Sequence, residues 1–212
     1  ISSLAGVELT YGFLIWGTAL AAFIGALLTT LLVYSLSRVQ GKTVVVNLIL
    51  VGVAINAMAG GFVTLFSFIG GTMAQSQVVF WQLGSLAGAG WSSAVITLII
   101  TVIGIVIACL CAPKMDLLAL GENQARHLGV NVERFRLCVI ILVAALVGVG
   151  VAFAGVIAFV GLIVPHAIRL IIGPQHKWLL PTSAFGGAFV LLVADTCART
   201  IISTAELPIG ML

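Results

Sequence analysis

Long uncharged runs dominate the order of polar and apolar positions along the chain. They occupy residues 12–37, 44–70, 91–112, 137–165 continuing to 172, and 178–194. Each approaches or exceeds the roughly 20 apolar residues that a helix needs to cross the hydrocarbon of a bilayer. The fourth is too long for one crossing, because no charge occurs from Leu137 to Ile168, and it divides at the Ala-Gly-Val around Gly155. The pattern therefore predicts six helices, the last running on through Asp195 to about Ile202. Barrel strands would alternate polar and apolar at period two, and these runs do not.

Composition agrees with that pattern. The chain is 62% hydrophobic and only 7% charged, with a mean hydropathy of +1.31, more apolar matter than a soluble core of 212 residues can hide. An all-α, polytopic membrane protein is expected, its partner the lipid bilayer and not nucleic acid. Twenty-four glycines fit helices that pack closely in lipid. The small-xxx-small spacings Ala144/Gly148/Ala152, Gly84/Gly88 and Ala184/Ala188 mark such seams. The chain opens at Ile1 without a basic leader or cleavage signal, and so reads as an internal fragment.

Charge then orients the helices, since Lys and Arg stay preferentially on the cytoplasmic side. Eight of the nine basic residues fall at three alternate connections: Arg38 and Lys42; Lys114, Arg126, Arg134 and Arg136; Arg169 and Lys177. Those connections are expected to face the cytoplasm. The opposite side carries Glu8 and Glu206, with Arg199 as its cation.

Little in the chain points to chemistry of its own. Cys109, Cys111, Cys138 and Cys197 lack ligand-like spacing and read as small packing residues. Gly41-Lys42-Thr43 is not a phosphate loop, because Leu36 stands where that pattern requires glycine. No metal, cofactor or nucleotide site is expected, and no enzymatic activity.

The longest polar island is "LLALGENQARHLGV", Leu117 to Val130. Asp116 can cap a short helix there, Gly121 interrupts it, and a second short helix runs from Glu122 to Leu128 before Gly129 stops it. Glu122 near the N-terminus and Arg126 and His127 near the C-terminus favour the helix dipole, and Glu122/Arg126 are spaced for an i,i+4 pair. Leu117, Leu118, Leu120, Ala125 and Leu128 supply an apolar side. On these features alone the island is either an amphipathic interfacial loop or a handle for a partner.

That island, followed by "GVIAFVGLIVPHAIRL", "GPQHKWLLPTSAFGGAFVLLVADTCART" and "AELPIG", and preceded by "VGVAINAM" and "FWQLGSLAGAGW", resembles the FecCD family of permeases. These are transmembrane subunits of ABC importers for iron-siderophores, haem and vitamin B12. The resemblance covers essentially the whole chain. It implies six helices of a ten-helix type II ABC importer permease, the fourth to the ninth, in one permease domain over 1–212 with a cytoplasmic coupling loop at 113–135. It also implies the bacterial cytoplasmic membrane, a separate ATPase subunit that hydrolyses ATP, a substrate-binding protein outside, and a permease homodimer or close heterodimer. Among substrates, an iron chelate leads and vitamin B12 follows.

Site residues follow from the same resemblance. Leu120, Gly121, Glu122, Ala125, Arg126 and Gly129 match the element that couples to the ATPase. Arg199 in "ADTCART" matches an arginine that docks the binding protein, although Asp195, four residues earlier, could simply pair with it. Asn56, Met58, Thr64, Phe80, Trp81 and Gln82 are expected to line the translocation pathway; interhelical hydrogen bonding by Asn56 and interface anchoring by Trp81 are the plainer readings. The bend at Gly41 to Thr43 sits where the family narrows its inner gate. Pro165 cannot bond the carbonyl of Gly161, so a kink that could serve as a hinge is expected there. His166 beside it either hydrogen-bonds a freed carbonyl or neighbouring helix, or acts in transport. Two further classes stay open: an ion-coupled secondary transporter, which would show charge at mid-membrane, and a non-transporting scaffold, which would need no coupling element.

Overall fold

Uncharged runs in lipid must satisfy their backbone internally, and helices do so. A computed structural model describes residues 2–39, 42–86, 89–157 and 159–201, and eight α-helices account for nearly all of them. They are α1 (Ser2–Leu36), α2 (Val45–Ile69), α3 (Gly71–Leu83), α4 (Trp91–Ala119), α5 (Glu122–His127), α6 (Val132–Ala154), α7 (Val160–Ile172) and α8 (His176–Ile201). Six correspond to the expected spans and α5 to the short helix expected from Glu122; α3 is additional. α2, α4, α6 and α8 are long and apolar enough to cross a membrane. α7, with 13 residues at about 1.5 Å each, is shorter than a full crossing.

One departure from an all-helical chain is a two-residue ladder between α1 and α2. β1 (Arg38–Val39) pairs antiparallel with β2 (Lys42–Thr43), Arg38 opposite Thr43 and Val39 opposite Lys42. Gly41, Gly88, Glu206 and the "AELPIG" stretch lie outside the described residues, as does the side chain of Glu8.

The expected division at Gly155 is present. α6 ends at Ala154 and Gly155 takes a φ of 71°, which turns the chain away from the helix. α4 instead runs past the expected end, through Pro113 to Ala119. Asp116 therefore lies inside a helix and does not cap one, a correction to the expectation from sequence. Pro165 likewise leaves α7 continuous from Val160 to Ile172.

Packing uses small residues, as expected where lipid removes the hydrophobic drive between helices. α6 lies against α1 with Gly148 facing Phe23 and Ala26. Gly104 of α4 faces Leu146 of α6, and Gly186 of α8 faces Val164 and Ile168 of α7. Ala144, Gly148 and Val149 are buried in α6. No described residue of α2 is buried; it packs on α1 and α3. Cys138 and Cys197 face outward, not into seams.

Candidate functional site

Side-chain contacts bring the three basic connections together at one end of the bundle. Thr43, at the close of the hairpin, is almost wholly buried. Its amide and hydroxyl donate to Glu133 of α6, at 3.3 and 2.9 Å. Its carbonyl accepts from Arg136 Nη1 at 2.9 Å. The other amino group of Arg136 pairs with Glu122, the first residue of α5. A second tie joins α4 to α8: Asp116 Oδ1 accepts from the His176 amide at 3.0 Å and from His176 Nδ1 at 2.6 Å.

Both carboxylates lie beyond the uncharged stretches, which end at Ala112 and resume at Leu137. Burial pushes the Glu133 carboxyl up, but the hydroxyl and amide of Thr43, then Arg136 and Arg38, together hold it below its ordinary value. Asp116 is lowered by the His176 amide first and the His176 ring second, against a smaller opposing effect of burial. Charge-assisted bonds of this kind favour the ionised carboxylate.

The polar island ends up on this same surface. α4 carries it rigidly to Leu120, Gly121 breaks the helix at φ 122°, and α5 follows. Gly129, at φ 84°, closes it. Neither glycine has an atom within 4 Å of where a Cβ would stand. Backbone conformation, not space, demands glycine there. Ala125 is fully buried, which seats α5 on the bundle, whereas Leu120 and Leu128 are exposed by 66% and 63%. The apolar side expected of the island is therefore divided, with Ala125 inward and these two leucines outward. The expected Glu122–Arg126 pair is long, at 3.9 Å, and Arg136 is the nearer partner. A recess of about 460 Å³ beside α5 is lined by Arg126, Gly129, Val130, Asn131, Val132 and Glu133.

The remaining predicted residues lie elsewhere. Asn56, Met58 and Thr64 on α2 and Phe80, Trp81 and Gln82 on α3 are all exposed. Thr64 bonds the carbonyl of Gly60 in its own helix, at 2.9 Å. Asn56 makes no interhelical hydrogen bond among the described residues. His166 is also exposed and bonds no freed carbonyl; it lines a groove of about 630 Å³ with Pro165 and Arg169. Arg199 Nε donates to Asp195 Oδ2 at 2.9 Å, while its side chain stays 59% exposed, so the internal pair forms without hiding the guanidinium.

Sequence reasoning passed over Glu133 and His176, and named Asp116 only as a cap, Thr43 only as part of a bend and Arg136 only as a basic residue of its connection. The available signal was the i,i+3 spacing of Glu133 and Arg136 beside a helix start.

The family model of the FecCD transport family matches residues 1–212. The chain belongs to that family. It is 42% identical over 191 residues to the hemin transport system permease protein HmuU of Yersinia pestis, covering 90% of this chain and 57% of the relative. It is 39% identical over 193 residues to the vitamin B12 import system permease protein BtuC of Vibrio vulnificus (strain CMCP6), covering 91% and 58%. A solved structure described as an inward-facing conformation of a metal-chelate type ABC transporter superposes with a TM-score of 0.81 at 31% identity, over 93% of this chain and 67% of that one. The chain thus spans a little over half the length of these curated relatives. With its apolar helices, family membership makes this a multi-pass protein of the cytoplasmic membrane.

Proposed function

We propose that the chain serves in the membrane-spanning permease of an ABC importer that moves an iron chelate, siderophore or haem, into the cell. The observation that carries this reading is α5. This glycine-bracketed helix has its small face buried, its leucines exposed, and a glutamate held from behind by Arg136. A partner that closes on ATP must deliver a displacement, and a capped, anchored helix transmits what a loose loop would absorb. In this reading Leu120, Gly121, Glu122, Ala125, Arg126 and Gly129 meet the ATPase subunit. Arg199, aimed by Asp195, orients a substrate-binding protein on the far side. The exposed α2 and α3 face the pathway or a second permease, alike or closely related. ATP hydrolysis belongs to the partner, not to this chain.

Vitamin B12 is the second reading of the cargo, favoured by 38–39% identity to permeases named for that import. Binding of hemin, a ferric siderophore and cobalamin by the cognate binding protein separates the cargoes.

Coupling is tested in the assembled importer by inserting a glycine beside Ala125. Substrate-stimulated ATP hydrolysis should fall by about 5- to 150-fold, the span of an ordinary coupling free energy, with membrane insertion unchanged. Full stimulation and full uptake in that variant would overturn the reading.

A further inference from the structure

We propose that Arg136 is a positioning residue that joins α5 and the 38–43 hairpin into one moving body, so that a displacement of α5 is carried directly to the start of α2. The inference rests on the importer reading and adds to it a route within this chain.

The geometry assigns the role to this side chain. Arg136 reaches α5 through one amino group, on Glu122, and the hairpin through the other, on the Thr43 carbonyl. A planar guanidinium with a fixed fork of donors can hold two acceptors on different elements at once, whereas a lysine ammonium is a single point charge. The Arg136 side chain is only 15% exposed, so water competes weakly for these bonds. Glu133 completes the grip by accepting from both the amide and hydroxyl of Thr43. Every polar group of Thr43 is thus bonded to the first turn and a half of α6. The hairpin cannot shift against α6 without leaving the buried polar groups of Thr43 unmatched, which is costly, and α5 is tied to the same guanidinium through the half-exposed Glu122.

The hairpin feeds α2, the least anchored of the long helices, with no described residue buried. The lowest-cost response to movement of the α5 and hairpin body is therefore displacement of α2. That is the helix on which Asn56, Met58 and Thr64 lie.

The test uses the full-length permease assembled with its ATPase and binding protein in proteoliposomes. Arg136→Gln should preserve ATPase association and basal ATP hydrolysis within about twofold while uptake per ATP hydrolysed falls by about 5- to 150-fold. Arg136→Lys should fall between it and the wild type. Proportional loss of hydrolysis and uptake, leaving uptake per ATP unchanged, would overturn the proposal.

If the substituted proteins do not assemble, spin labels at the exposed positions Gln124 and Val44 decide the matter. Their separation should be the same in nucleotide-free and vanadate-trapped importer, and a change would overturn the proposal. Absence of any chelate uptake by the wild-type importer would count against the function proposed above; normal uptake with a changing label distance would count against the joint alone.

Discussion

The two ends of the bundle are closed in opposite ways. At the basic end, elements meet through side chains: Arg136 with Glu122, Glu133 with Thr43, Asp116 with His176. At the other end they meet through bare backbone. The amide of Val156 donates to the Trp81 carbonyl at 3.2 Å and that of Ser85 to Ala154 at 2.9 Å. Two glycines with positive φ, Gly84 and Gly155, let those chains approach, and a Cβ on Gly84 would stand 2.8 Å from the carbonyl oxygen of Val156. Side-chain ties can be exchanged, titrated or re-aimed, whereas a backbone contact over glycine admits no substitute. On the function proposed above, the first design suits an end that moves with a partner, and the second an end that stays closed.

The largest effect is expected from Gly155→Ala in the full-length protein. At φ 71° and ψ −166° Gly155 lies where essentially only glycine goes, and an L side chain there costs about 1–3 kcal/mol. The new methyl would also meet the Trp81 carbonyl and Gly84 Cα, and overpacking of that kind costs about 1–3 kcal/mol. A loss on the order of 4 kcal/mol should appear as a lower thermal midpoint in detergent. Gly121→Ala, at the basic end, carries the conformational cost without a clash. It should lose about 1–3 kcal/mol, and equal losses at the two positions would erase the contrast.

The glycine turns are legible in the sequence because each interrupts a run that is otherwise uniform. Gly155 divides a stretch too long for one crossing, and Gly121 and Gly129 bracket the polar island. The polar ties are not legible there, since they join residues far apart along the chain. Thr43 and Glu133 are 90 positions apart, Asp116 and His176 are 60, and Glu122 and Arg136 are 14. Local pairing rules reach only one helical turn, so they favour Arg126 as the partner of Glu122. α3 escapes the hydrophobic pattern because "GTMAQSQVVFWQL", although uncharged, is short and broken by Gln75, Ser76, Gln77 and Gln82. Asn56 invites hydrogen-bonding neighbours that α2, packed chiefly on α1 and α3, does not offer it among the described residues.

An intermediate effect is expected at the Asp116–His176 tie. Asp116→Ala removes the acceptor of the first amide of α8, with an expected cost of about 1–2 kcal/mol. The tie should also respond to acid with a defined sign. Folding lowers the Asp116 pKa, so its contribution is complete above the unfolded value of about 3.9. It is lost as pH falls through the still lower folded value. The gap between thermal midpoints of wild type and Asp116→Ala should therefore be constant from pH 7 down to about 4 and begin to close only below that. A gap that persists in strong acid would mean that Asp116 acts through packing and not through its charge.

The smallest effect is expected from Arg126→Ala. Arg126 and Glu122 are separated by 3.9 Å with side chains 40% and 45% exposed, and Glu122 already holds Arg136. Exposed i,i+4 pairs contribute about 0.3–0.5 kcal/mol, and salt screens them further. The substitution should leave the thermal midpoint within error of wild type, and raising the ionic strength should remove any residual difference. Arg136→Ala in the same assay leaves Glu122 and the Thr43 carbonyl without their donor, and should cost about 1–3 kcal/mol. The ranking of these two arginines is what separates a grip that faces the bundle from a contact surface that faces outward. If Arg126→Ala destabilised the protein as much as Arg136→Ala, the basic end would be held together by its surface charges, and its likeness to a rigid, partner-driven joint would fail.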